Sequence, residues 1–125
     1  MIDADTIGEI IATYQKHGWI LRRVLLSAAV KEKIGHKNNL FGKIQVADSD
    51  MDAAWFSRPP KTGGGPWEIR YLGDPPFALL ENLDETEAEF ENALRDVESR
   101  LSRATAAQRI GLTSASTDSK LKILT

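Results

Sequence analysis

Apolar side chains recur at a helical interval near the start of the chain, where Ile7, Ile10, Ile11 and Tyr14 form one stripe. The spacing predicts a helix over residues 3–17. Asp3 or Asp5 can accept from its first free amides. Glu9 suits its early turns, and Lys16 and His17 suit its negative end. Gly18 can take the left-handed backbone that stops it. The next run, "WILRRVLL" at 19–26, is rich in β-branched and aromatic residues and predicts a strand. Ser27 then caps a short helix, "AAVKEKI", closed by Gly35, and "HKNNLFG" reads as a loop.

Four further segments follow as strands in hairpin order: "KIQVAD" (43–48), "DAAWFSR" (52–58), "WEIRYL" (67–72) and "FALLENL" (77–83). Glycine and proline lie between them and not inside. "DETE" at 84–87 has capping-box spacing. It opens a long helix whose Phe90, Leu94, Val97, Leu101 and Ala104 share a face. After residue 104 the composition turns small and polar, so 1–104 reads as a single α+β domain and 105–125 as a loose tail. The expected fold is α+β. An N-terminal helix precedes an antiparallel sheet of four to five strands in meander order, and the long C-terminal helix packs on that sheet.

Alternation by two sorts the strand residues into faces. A hairpin with Arg58 opposite Trp67 puts Phe56, Trp67, Ile69 and Tyr71 on one face, which is the expected interface. The other face then carries Trp55, Leu72, Phe77 and Leu79. On it Glu68, Arg70 and Glu81 join Trp55 as a candidate ligand-binding group, in which two close carboxylates would raise one pKa. A sheet greasy on both sides needs two covers. The two main helices lie on opposite faces, or both share one face and a partner covers the other. Each large side chain left exposed would forfeit roughly 1.5–3 kcal/mol.

Composition narrows the function classes. The 125 residues contain no cysteine and carry a net charge of −2. Disulfides and thiol chemistry are therefore excluded, and a reducing, cytoplasmic setting is expected. No apolar run approaches the ~20 residues of a membrane span. Nucleic-acid binding is disfavoured because the balance is not basic. Charge is uneven, however. Residues 20–43 hold Arg22, Arg23, Lys31, Lys33, Lys37 and Lys43 against Glu32, whereas 84–98 hold seven acids against Arg95. These segments suit each other across a dimer.

The chemical motifs fail individually. "PPKTGGGP" (59–66) places Lys61 and Thr62 before the glycines, the reverse of a phosphate-binding loop, and reads as a hairpin connection. Asp48, Asp50 and Asp52 open a calcium-loop pattern, but Ala53 and Pro59 occupy the positions that require glycine and glutamate. His17 and His36 have no matched acids nearby, and no serine sits in a nucleophile elbow. No cofactor, metal or catalytic residue is expected. The function expected from sequence is a non-catalytic, self-associating protein-interaction or regulatory module. The alternative is a small-molecule site or enzyme centred on Trp55, Glu68, Arg70 and Glu81, with the 59–66 loop over it.

Overall fold

The structure is a computed structural model, and it describes residues 2–35, 40–59, 64–73, 76–109 and 121–123. In chain order the elements are α1 (Ala4–Lys16), β1 (Ile20–Leu26), α2 (Ala28–Ile34), β2 (Gln45–Asp48) and β3 (Ala53–Ser57). They continue with β4 (Gly65–Tyr71), β5 (Phe77–Leu83), α3 (Phe90–Arg109) and β6 (Leu121–Ile123). The expected caps of α1 and α2 act where the sequence places them. Asp3 accepts from the Thr6 amide at 2.8 Å, and Ser27 accepts from that of Val30. Gly18 and Gly35 take positive φ.

The α+β class holds, but the purely antiparallel meander does not. The sheet order is β2-β1-β3-β4-β5-β6, and β2 runs parallel to β1. A parallel neighbour needs a crossover, and α2 supplies it. "DSDM" is therefore not a hairpin turn. It carries the chain across the end of β1, where Ser49 N–H donates to the Leu26 carbonyl. The Asp52 carboxylate, itself buried, accepts from Ser27 N–H at 2.7 Å and Ser27 Oγ at 3.2 Å. Asp52 thus ties the crossover to the cap of α2.

Register also departs from expectation by one residue. Ser57 rather than Arg58 pairs with Trp67, so Trp55 opposes Ile69 and Phe56 opposes Glu68. The β4–β5 pairing sets Glu81 opposite Trp67. A slip of one exchanges faces, so Phe56 parts from Trp67 and Trp55 joins it.

Each face has its own cover. Leu94, Val97 and Leu101 of α3 lie over Trp55, Trp67, Ile69, Phe77 and Leu79. Ile7 and Ile11 of α1, with Val30 and Ile34 of α2, lie over Leu21, Val24, Leu26, Ala54 and Phe56. Of the two arrangements allowed by the sequence, the main helices take opposite faces.

Two boundaries also shift. Residues 84–89 form turns in which Asp84 accepts from Thr86 N–H and Oγ1, and α3 begins only at Phe90. The helix then continues past 104 to Arg109, with Thr105 buried. Of the expected tail, 110–120 and 124–125 lie outside the described residues, and β6 pairs antiparallel with β5.

Candidate functional site

The sequence-derived ligand group is divided by the sheet. Trp55, fully buried, donates its indole N–H to Glu98 of α3 at 2.7 Å. Glu81, on the same face, accepts from Arg100 at 2.9 Å. Glu68 and Arg70 alternate onto the opposite face, where the Tyr14 phenol donates to Glu68 and the Arg70 guanidinium donates to the Tyr71 carbonyl. Glu68 and Glu81 therefore do not face each other. The expected interface residues Phe56, Trp67, Ile69 and Tyr71 are all buried under the protein's own helices, Phe56 beneath α1 and the other three beneath α3.

The contact between Tyr14 and Glu68 has no local sequence signal, because the residues are far apart in the chain. Tyr14 stacks on Phe56 with ring centroids 4.1 Å apart. Burial, and next the hydrogen bond to Glu68, push the phenol far above its ordinary pKa. It remains a proton donor.

A β-bulge between Leu21 and Arg23 builds a second cluster. On a straight strand Arg22 would share the buried face of Val24 and Leu26. The bulge turns it to the other side beside Arg23. Arg22 lies 4.6 Å over the Trp67 ring, donates to Ser57 Oγ at 2.9 Å and pairs with Glu85. Arg23 grips Glu91 with both terminal guanidinium nitrogens at 3.0 Å. That hydrogen bonding lowers the Glu91 pKa and raises that of Arg23. The four side chains, with Trp67 and Phe90, line a cavity of about 230 Å³. The basic and acidic segments that suited a dimer thus meet here within one chain.

Among the described strands, β2 forms one margin of the sheet. Ser49 N–H points at β1, so alternation also directs the main-chain groups of Gln45 and Ala47 there, and those of Val46 and Asp48 outward. No described strand lies beyond β2, whereas β6 lies on the far side of β5. Ile44 N–H is engaged by the Phe41 carbonyl. Beside the start of β2 is a groove of about 530 Å³ that mixes polar and apolar surface, lined by Ile11, Gln15, Ile20, Leu21, Leu40, Phe41 and Ile44 among others. Ile20 is 48% exposed and is the only large hydrophobic side chain so exposed among the described residues.

The remaining candidates are engaged structurally. Asp48 pairs with Lys31, Asp52 holds Ser27, and no acidic or histidine cluster suited to a metal occurs among the described residues. His17 Nδ1 lies 2.8 Å from the Thr13 carbonyl. His36 and positions 60–63 of the glycine-rich loop lie outside the described residues. No described helix is long and apolar enough to cross a membrane. No protein-family model, curated protein or solved structure matches the chain.

Proposed function

We propose that this chain is a non-catalytic protein-interaction module that receives an extended partner segment along β2. One observation carries the reading. No described strand pairs with the outward main-chain groups of Val46 and Asp48, which lie directly beside the groove that holds Ile20. Strand addition uses such an edge for affinity and adjacent pockets for selectivity. Native sheets generally cover or blunt an edge they do not use. The absence of cysteine suits a reducing, cytoplasmic setting for such a module. The pairing of Arg22 and Arg23 with glutamates leaves them poorly placed to track a nucleic-acid backbone.

Isotope-labelled protein titrated with a pool of synthetic extended peptides tests this proposal. The amides of Val46 and Asp48 should shift together with those of Ile20 and Leu40. A parallel titration uses inorganic phosphate and small carboxylates. Shifts confined to Arg22, Arg23, Trp67 and Glu91 in that titration, with β2 silent toward peptides, would move the function to a small-anion site.

A further inference from the structure

We infer that the cavity at the β1 bulge binds a small zwitterion of the free amino-acid kind, its carboxylate on Arg22 and Arg23 and its ammonium on Glu85 and Glu91. The site does not depend on the strand-receiving reading of β2. Bulges re-aim side chains and are common beside functional sites. This one brings a second guanidinium into a space that already holds Arg23. Arg22 is held from behind by the Trp67 ring and by Oγ of buried Ser57. A guanidinium has five N–H groups. Among the described residues, hydrogen bonds occupy two on Arg22 and two on Arg23, which leaves donors on both for a further acceptor.

Charge balance selects the class of ligand. The lining presents two cations and two anions, and Arg23 and Glu91 each keep the other ionised. The next charges felt by that pair, Glu98 by Arg23 and Arg95 by Glu91, are again one of each sign. A bare anion would enter beside two carboxylates, and a bare cation beside two guanidinium groups; like charges so placed are costly. An α-amino acid carries opposite charges on adjacent carbons and can lie antiparallel to either ion pair, whose own charges are 2.5 and 3.0 Å apart. Exposure sets its direction. The arginine side chains are 31% and 22% exposed and the glutamates 47% and 52%, so the carboxylate goes inward and the ammonium to the rim. The cavity, about 230 Å³, is smaller than the roughly 300 Å³ at which pockets for drug-sized ligands begin, so the ligand has few heavy atoms.

Isotope-labelled protein is titrated separately with a mixture of glycine, L-alanine and L-serine, with propionate, with ethylamine and with inorganic phosphate, all at matched ionic strength. The amino acids should shift the Nε–H signals of Arg22 and Arg23 and the indole N–H of Trp67 at millimolar concentration. Each of the other three probes should be at least several-fold less effective. Arg23→Gln should abolish the response to amino acids with the circular dichroism unchanged. Glu91→Gln removes an ammonium partner and leaves Arg23 without its carboxylate, so affinity for amino acids should fall and affinity for propionate should rise several-fold. A purely structural ion pair would not exchange one preference for the other. A wild type that answered propionate or phosphate as strongly as amino acids would overturn the zwitterion in favour of a plain anion. Silence toward all four probes, or an unaltered preference in Glu91→Gln, would overturn the site. Neither result bears on the peptide response of the β2 amides, which tests the strand-receiving reading separately.

Discussion

Replacing Tyr14 by phenylalanine isolates one hydrogen bond on the α1 face. The ring keeps its stacking on Phe56 and its edge contact with Trp19, so little apolar packing changes. What is lost is the phenolic donor to Glu68, a carboxylate only 5% exposed. A hydrogen bond to a charged group contributes about 1.5–3 kcal/mol net, and that is the expected loss of unfolding free energy at pH 7. The pH dependence gives a second, independent signature. In the folded chain the phenol is held far above its ordinary pKa by burial and by Glu68, whereas in the unfolded chain it titrates near 10. Above pH 10 the unfolded state releases this proton and the folded state keeps it, so the contribution of Tyr14 falls as pH rises. At pH 11, one unit above the unfolded value, the wild type should have lost about 1.4 kcal/mol from this source. The phenylalanine variant has no such group, so its deficit against the wild type should shrink by that amount. Urea unfolding followed by tryptophan fluorescence at pH 7, 9 and 11 measures both quantities. Lysine and other alkaline titrations cancel in the difference. A deficit constant from pH 7 to 11 would refute the assignment of a protonated, half-buried donor. A deficit under about 0.5 kcal/mol at pH 7 would refute the energetic role of the bond.

Asp52→Ala should cost about 2–4 kcal/mol by stripping Ser27 N–H and Oγ of their buried acceptor, with Asp52→Asn milder; chemical denaturation checks it. Glu98→Ala leaves the indole N–H of fully buried Trp55 without this acceptor and should cost about 1–3 kcal/mol, with a shift in tryptophan emission. Leu101→Ala in α3 should cost about 2–5 kcal/mol, because that side chain is fully enclosed. Half-exposed Ile20→Lys should stay within about 0.5 kcal/mol and yet abolish peptide-induced shifts in the β2 amides.

Local signals were legible and long-range ones were not. Asp3, Ser27, Gly18 and Gly35 mark the ends of α1 and α2 because capping is decided by a few consecutive residues. Prolines and glycines mark the surroundings of β4 and β5, although Gly65 and Pro66, expected between the strands, themselves pair within β4. The position of β1 between β2 and β3 was not legible. Its neighbours, β2 and β3, are chosen by packing across the whole sheet, and "DSDM" serves a crossing as well as it serves a turn. The register error has a related cause. Ser57 and Arg58 both suit a partner for Trp67, and loop length alone does not decide between them. That step parted Trp55 from Glu68 and Arg70, and a second slip of one in the β4–β5 pairing parted Glu81 from them. The Tyr14–Glu68 contact was invisible for the same reason, since it joins α1 to β4. A signal did exist for the bulge: two adjacent arginines inside an apolar strand cannot alternate without burying one of them.

That strand carries one residue more than its cores require. Striking Arg22 from the sequence would join Leu21 directly to Arg23. Simple alternation would then deliver Leu21, Val24 and Leu26 to one core and Leu25 to the other, which is where they already reside. Loss of this single codon would therefore leave the interior in phase. What the surplus position supplies is local twist and a cation laid over the Trp67 ring, so its reason for being there must be sought on the outside of the molecule.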